Sequence, residues 1–254
     1  MYSAKQKFKL GILLFILGMA GVFSILGMGI ALPQEIEALL LKDFSPSQIK
    51  WLMLINPTLF LLFFGTIGLL LFDKAEFRLP LFGRLVGVEQ TTTSINKTII
   101  IAVIGGVLAG ILLSGLGALF YPQLPTAFMD LSEKVQPTLL NRFLYGGFTE
   151  EITMRFGLMT IFVWIARFIF TRNKAIAYWV GIFIAAFLFA LGHLPIAFQT
   201  VQNPSAILIS YILIGNTIGG IIYGWLYWKH GLGAAIIAHI LTHVMLLVLE
   251  PLIM

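Results

Sequence analysis

The sequence predicts an all-α protein, a polytopic bundle of about seven membrane-spanning helices. Of its 254 residues, 59% are hydrophobic and only 11% are charged, whereas a soluble domain usually carries about 25% charged residues. The apolar residues fall into seven stretches of the length that a helix needs to cross a bilayer, about 20 residues. No hydrophilic stretch is long enough for a separate soluble domain, so we expect residues 1–254 to form one transmembrane domain.

The seven predicted spans are separated by short connections. Three lysines lie around the start of the first apolar run, as in a signal peptide, but the run is too long for one, so we expect it to stay as a span. The third span is rich in glycine, which lets neighbouring helices approach each other closely. The predicted spans cover residues 8–32, 51–72, 98–120, 139–169, 175–197, 205–228 and 232–253.

The connections carry many of the polar residues. Residues 33–50 place apolar side chains at helical spacing beside acidic ones, which fits either a short amphipathic helix at the membrane interface or an ordinary loop. Residues 73–97 predict a polar connector, and residues 121–137 predict a proline-containing loop.

The distribution of lysine and arginine predicts the orientation in the membrane. Seven spans place the two chain ends on opposite sides, and cytoplasmic segments carry an excess of Lys and Arg. With the N-terminus inside, the inner segments hold Lys5, Lys7, Lys9, Lys74, Arg78, Arg84, Lys97, Arg167, Arg172, Lys174 and Lys229, and the outer segments hold Lys42, Lys50, Lys134 and Arg142. We therefore expect an integral, multi-pass protein of a bacterial plasma membrane, with a cytoplasmic N-terminus and an outer C-terminus.

Composition excludes several function classes. The formal net charge of +5 does not indicate nucleic-acid binding, because basic residues of a membrane protein mostly lie in cytoplasmic loops. The chain has no cysteine, which excludes disulfides, thiol catalysis and thiolate metal sites.

The fourth span contains three ionisable residues, Glu150, Glu151 and Arg155. Charged side chains in the middle of a span are costly, so we expect them to face protein rather than lipid. On an α-helix Glu151 and Arg155 share a face, while Glu150 points about 100° away. We therefore expect Glu151 and Arg155 to neutralise each other and to leave Glu150 free; the alternative is a buried ion pair that only locks helices together.

Three of the four histidines lie within predicted spans. In the fifth span Phe189 and His193 are four residues apart on one face, and in the seventh span His239 and His243 repeat this spacing. A single histidine in a span is often only hydrogen-bonded to a neighbouring helix. Because the fourth, fifth and seventh spans all carry such groups, we expect them to face one cavity and to form an active site between helices.

These residue types suit an amide hydrolase that activates water. A carboxylate in a low-dielectric pocket is a stronger base, and a histidine beside it can hold and orient a water molecule. Two further histidines can donate N–H groups to the oxyanion that forms on an attacked carbonyl. No serine lies in a triad-like context with them and cysteine is absent, so we expect no covalent acyl-enzyme.

Three motifs in order on three spans resemble one family. The motifs E-E-x-x-x-R, F-x-x-x-H and H-x-x-x-N are characteristic of the CAAX-protease and bacteriocin-processing (CPBP/Abi) family of intramembrane endopeptidases, which includes the Ras-converting type of CAAX prenyl endopeptidase. They correspond here to residues 150–155, 189–193 and 239–243. The third motif departs from the family, since His243 stands where Asn is usual. The resemblance covers residues 142–248, and the first three spans match only in hydrophobicity.

The resemblance implies a role for each motif residue. Glu150 resembles the general base that activates water, with His193 helping to hold it. His239, with His243 at the Asn position, resembles the pair that stabilises the oxyanion. The positions that support the site or engage the substrate are those of Glu151, Arg155 and Phe189.

His243 also leaves a metal-dependent alternative open. It creates H-x-x-x-H, which on a helix has the spacing of zinc ligands. We expect no cofactor, and the alternative is zinc held by His193, His239, His243 and Glu150. We expect a peptide or membrane-protein substrate in the lipid bilayer. A non-catalytic bacteriocin immunity or binding protein of the same fold, and a transporter with a proton relay, are the alternatives from other function classes.

Overall fold

The computed structural model describes residues 2–29, 32, 34–88, 94–134, 137–201 and 203–253. Within these residues every regular element is a helix and none is a strand. Seven of the helical segments are long and apolar enough to cross a membrane. The predicted fold class is therefore confirmed, and the chain is an integral, multi-pass membrane protein.

The long helices follow the predicted spans closely. We name them α1 to α7, and in the described parts of the connections five short helices and two 3₁₀ turns lie between them. The long helices are α1 (Ala4–Ser24), α2 (Ile55–Leu71), α3 (Ile95–Phe120), α4 (Leu139–Ile169), α5 (Lys174–His193), α6 (Ala206–His230) and α7 (Leu232–Ile253). The short helices are Gln34–Leu40, Pro46–Leu52, Pro80–Leu85, Thr126–Lys134 and Pro195–Thr200, and the 3₁₀ turns are Ile25–Gly27 and Tyr121–Gln123.

One predicted span end is wrong. The first span was expected to reach residue 32, but α1 ends at Ser24 and a single 3₁₀ turn follows it to Gly27. The Ser24 hydroxyl donates a hydrogen bond to the carbonyl of Gly21 and accepts one from Asn141 on α4, so this end is fixed by polar contacts that hydrophobicity does not report. The fifth span covers the predicted residues 175–197, but its helix breaks after His193, because Pro195 lacks a backbone N–H and starts a separate short helix.

The connections are more ordered than their composition predicts. Residues 73–97 are not only a polar connector, since Phe77, Leu79 and Phe82 are buried in the main core and the helix Pro80–Leu85 starts at a proline. The expected loop 121–137 contains the helix Thr126–Lys134, which packs on the short helix after α5. In both cases apolar side chains scattered among polar ones have found partners in another part of the chain.

The connection 33–50 forms two short helices rather than one helix or a loop. The second of them, Pro46–Leu52, begins with a capping box, in which the side chains of Ser45 and Gln48 bond to each other's backbone N–H groups. Some predicted positions lie outside the described residues, namely 30 and 31 of the first span, 33 at the start of this connection, and 89–93 and 135–136 of the two later ones.

Helix α4 lies at the centre of the bundle. It packs against α1 and α2 on one side and against α5 and α7 on the other. The glycines of α3 bring that helix close to α7, as the sequence predicts. A Cβ added at Gly106 would lie 2.6 Å from the carbonyl oxygen of Ala238, and one at Gly110 would overlap the side chain of Met245. The backbones of α3 and α7 can approach this closely only because these positions have no side chain.

We predict that Gly106→Ala lowers the thermal stability of the protein. The added methyl group would meet the Ala238 backbone and the Cβ of Leu241, so α3 and α7 would have to separate. Thermal unfolding in detergent, followed by tryptophan fluorescence, measures the effect. Gly115→Ala is the matched control in the same helix, because its added Cβ meets no described atom within 4 Å. Equal stability of the two variants would contradict the packing.

Candidate active site

The central part of α4 is wound as a π-helix between Arg142 and Met159, and this part carries Glu150, Glu151 and Arg155. A π-helix closes each hydrogen bond on the fifth residue and so places more residues in a turn than an α-helix does. Adjacent side chains therefore diverge by less than the roughly 100° of an α-helix. The two glutamates consequently reach the same histidine of α7, which the α-helical expectation for Glu150 did not foresee.

Glu151 is the buried centre of the site. Its side chain is 0% exposed, and its Oε1 accepts a hydrogen bond from Nδ1 of His239 at 2.8 Å. The same oxygen lies 3.3 Å from Nη1 of Arg155, which is 2% exposed. The predicted pairing of Glu151 with Arg155 is thus confirmed, and it includes a third member, His239.

Arg155 is held between two aromatic rings. The centre of its guanidinium lies 4.7 Å from the ring centroid of Phe189 on α5 and 5.2 Å from that of Tyr223 on α6. A cation over an aromatic face is stabilised by the ring quadrupole, and more strongly so when it is desolvated. One ion pair of α4 therefore also fixes the positions of α5 and α6.

Glu150 has a different environment from its neighbour. Its side chain is 19% exposed and lines a cavity of about 380 Å³ between the helices. Its Oε1 lies 3.9 Å from Nε2 of His193, and its Oε2 lies 3.9 Å from Nε2 of His239. These distances are too long for direct hydrogen bonds. They suit a water molecule that lies between Glu150 and one of the histidines and bonds to both.

The hydrogen bond of His193 defines which of its nitrogens can accept. Nδ1 lies 2.9 Å from the carbonyl oxygen of Phe189, one turn earlier on α5. Because a carbonyl can only accept, Nδ1 carries the hydrogen, and Nε2 of the neutral ring presents a lone pair toward Glu150. The Phe189 ring also contacts the His193 ring edge to face at 4.5 Å. Phe189 thus positions His193 and Arg155 together, and it lines the cavity as well.

Three rings form a stack on the opposite wall. The Tyr223 ring stacks on His239 at 4.5 Å between centroids, and His239 stacks on His243 at 5.0 Å. Gly146 of α4 makes room for the stack, since a Cβ there would lie 2.7 Å from Nε2 of His243. Within the described part of the chain, Nδ1 of His243 is buried without a hydrogen-bond partner. Leaving a buried polar atom unpaired costs free energy.

A zinc ion fits this arrangement poorly. Ligand atoms about 2.0–2.1 Å from one tetrahedral zinc lie roughly 3.4 Å from each other, which is shorter than the distances between Glu150 and the two nearest histidines. Among the described residues, no three His, Cys, Asp or Glu side chains are grouped so that they could hold a metal ion. As placed, the four ligands of the zinc alternative do not form a metal site.

The structure brings all seven motif residues together and adds two that sequence reasoning missed. Tyr223 comes from the sixth span, which was not expected to contribute, and Gly146 precedes the first motif. Tyr223 lies among three glycines, Gly219, Gly220 and Gly224, and this pattern indicates close helix packing. The pattern does not predict that the tyrosine packs on a histidine. Farther along, Arg142 and Glu250 line the same cavity.

The comparisons with known proteins agree with the motifs. Residues 134–245 match the family model for "type II CAAX prenyl endopeptidase Rce1-like", which confirms the resemblance predicted from the sequence. The match covers less than half of the chain, but it contains every motif residue. No curated protein and no solved structure is similar enough to the chain to match it.

We predict that Arg155→Met destabilises the protein, because it leaves the Glu151 carboxylate buried without its cation. Breaking a buried ion pair from one side typically costs about 3–5 kcal/mol. The double variant Glu151→Gln with Arg155→Met should recover part of this loss, since neither charge remains. Thermal unfolding in detergent measures all three proteins.

Lys174→Met provides the control for this prediction. Lys174 pairs with the exposed carboxylate of Glu76 at 2.9 Å, and exposed pairs usually contribute less than about 1 kcal/mol. An effect of Arg155→Met no larger than that of Lys174→Met would show that the buried pair does not hold the site together.

Proposed function

We propose that this chain is an intramembrane endopeptidase that hydrolyses peptide bonds with water activated by Glu150, and the match of residues 134–245 to the Rce1-like CAAX endopeptidase family model supports the proposal. One observation carries the proposal. Glu151 is committed to Arg155 and His239, whereas Glu150 faces the cavity and lies between the Nε2 atoms of two histidines. The substrate is a peptide or a segment of a membrane protein that enters from the lipid bilayer or its surface.

Glu150 and His193 together can hold the attacking water. Both the carboxylate and Nε2 of His193 accept hydrogen bonds, and they lie 3.9 Å apart. A water molecule about 2.8 Å from each can donate one hydrogen to each, which turns its lone pairs toward a carbonyl carbon in the cavity. The carboxylate takes a proton as the oxygen attacks, in the manner of general-base catalysis.

His239 and His243 suit the stabilisation of the oxyanion. Glu151 accepts from Nδ1 of His239 and so orients the ring, as a buried carboxylate orients the histidine of a Ser-His-Asp triad. Nε2 of His239 then faces the cavity. Because Nδ1 already donates to Glu151, Nε2 can donate to the oxyanion only in the doubly protonated imidazolium form, which the Glu151 carboxylate stabilises. His243 lines the same cavity and stacks on His239, and an N–H of its ring can serve as a second donor.

The proposed reaction forms no covalent bond between the enzyme and the substrate. Water forms the new C–O bond to the peptide carbonyl carbon, and Glu150 receives the proton that the water loses. The tetrahedral intermediate collapses with cleavage of the C–N bond, and Glu150 returns the proton to the leaving nitrogen. The products are a new carboxyl terminus and a new amino terminus, and the side chain of Glu150 is unchanged.

We predict that Glu150→Gln abolishes cleavage of a peptide library by the protein in liposomes. The amide retains the shape of the side chain but cannot accept a proton, and general-base catalysis typically contributes about 10²–10⁴-fold. The matched control is Glu76→Gln, which removes an exposed carboxylate in the connection after α2, and it should keep the wild-type rate. Cleavage by Glu150→Gln at the wild-type rate would contradict the assignment.

A chelator distinguishes the two mechanisms. We predict that phenanthroline leaves the wild-type cleavage rate unchanged, because Glu150 activates water by proton transfer alone. Loss of activity with the chelator, restored by added zinc, would instead support the metal-dependent alternative. A folded wild-type protein that cleaves no peptide, and whose cellular phenotype survives Glu150→Gln, would favour a binding or immunity protein.

We predict that His243→Asn keeps cleavage within about tenfold of wild type, whereas His243→Leu loses about 10²–10³-fold. The Asn side chain can donate an N–H as the imidazole does, whereas Leu has no donor. Removal of one oxyanion donor typically lowers the rate by about 10²–10³-fold. Initial rates with one substrate measure both variants. Equal losses in the two variants would indicate that His243 acts through its ring packing on His239 and not through a hydrogen bond.

A further inference from the structure

The cavity opens toward one end of the bundle. Its outer residues belong to the C-terminal ends of α3, α5 and α7 and to the N-terminal ends of α4 and α6. Examples are Leu113, Arg142, Tyr211 and Glu250, with Ile196 on the short helix after α5. Hydrogen bonds between Tyr121 and Glu250 and between Asn141 and Ser24 show that these helix ends lie on one side of the molecule.

The opposite end is filled by the connection after α2. Phe72, Ala75 and Leu79 are completely buried, and the Phe77 ring stacks on Tyr227 of α6 at 4.2 Å. The hydroxyl of Tyr178 on α5 donates to the carbonyl of Ala75 at 2.8 Å. This connection thus packs into the helix ends and closes the bundle at the end where α1 begins.

A glycine turn allows the connection to pack this tightly. Gly231 joins α6 to α7 with φ of +83°, a conformation that residues with side chains rarely adopt. A Cβ at Gly231 would lie 2.6 Å from the carbonyl oxygen of Arg78 and 2.6 Å from Cδ of Pro80. The turn and the connection therefore contact each other directly at the closed end.

Ion pairs tie the closed end together. Lys7 of α1 pairs with Asp73 at 2.8 Å. Lys174 and Arg167, at the turn between α4 and α5, both bind the carboxylate of Glu76. Hydrogen bonds from these two side chains lower the pKa of Glu76, so this carboxylate remains ionised under physiological conditions.

Basic residues are concentrated at the closed end. Of the 16 Lys and Arg residues of the chain, eleven belong to segments at this end, four belong to segments at the open end, and Arg155 is buried between them. The eleven are Lys5, Lys7, Lys9, Lys74, Arg78, Arg84, Lys97, Arg167, Arg172, Lys174 and Lys229. Segments of membrane proteins that are rich in Lys and Arg remain in the cytoplasm.

We infer that the cavity and Glu150 are reached from the non-cytoplasmic side of the membrane. The substrate class, which rests on the proposed function, is then a peptide presented outside the cytoplasm, either an exported peptide or the outer end of a membrane protein. Glu150 lies in the half of α4 that is nearer the open end, since α4 runs from Leu139 there to Ile169 at the closed end. The closed end, with the N-terminus, faces the cytoplasm.

Cysteine labelling tests the direction of access, and the natural chain has no cysteine to interfere. Ile196→Cys places a thiol at the exposed edge of the cavity, and Thr171→Cys places one in the exposed turn between α4 and α5. Neither substitution changes a charge, so the distribution of Lys and Arg is preserved. Spheroplasts that express each variant are treated with a sulfonated maleimide that cannot cross the membrane.

We expect Ile196→Cys to be labelled in intact spheroplasts and Thr171→Cys to be labelled only after permeabilisation. The reverse pattern would overturn the proposal, as would a cavity position that is labelled under neither condition. Phe128→Cys, on the short helix beside the mouth, replaces Ile196→Cys if that variant does not fold. Labelling does not require catalysis, so the same pattern in a Glu150→Gln background would support this inference even if the proposed peptidase activity failed.

Discussion

The structure depends on the placement of one buried carboxylate, Glu151, inside the membrane domain. An isolated charge there is costly, and Glu151 is compensated on both sides, by Arg155 on its own helix and by His239 on α7. Arg155 in turn lies between Phe189 of α5 and Tyr223 of α6. A single ion pair thus determines how four helices meet, and the cavity between them follows from that arrangement.

This buried pair also accounts for the division of labour between adjacent glutamates. Glu151 has its cation and its histidine, so its role is to orient His239. Glu150 has no arginine of its own and faces the cavity, where His193 and His239 lie at equal distances of 3.9 Å. The π-helical winding of α4 lets both carboxylates reach His239, one on each nitrogen, although they are neighbours in the chain.

Sequence reasoning predicts the membrane spans, the ion pair and the residues that meet in the site, because hydrophobic length and i,i+4 spacing are local properties. The π-helical winding was missed, since the amino-acid pattern of α4 is equally compatible with an α-helix. Tyr223 and Gly146 were missed because their roles arise from contacts between helices that are distant in sequence. The buried connection after α2 was missed for the same reason, since its apolar residues such as Phe77 gain their partners only in the folded bundle.

The central claim is that Glu150 activates a water molecule and does not itself attack the peptide. Cleavage under single-turnover conditions in ¹⁸O-labelled water tests this claim most directly, with mass spectrometry of the product and of the enzyme peptide that contains Glu150. Direct attack by water predicts ¹⁸O in the new carboxyl terminus of the product and none in Glu150. ¹⁸O in the Glu150 side chain would show that an acyl-enzyme had formed on that carboxylate, and it would contradict the account.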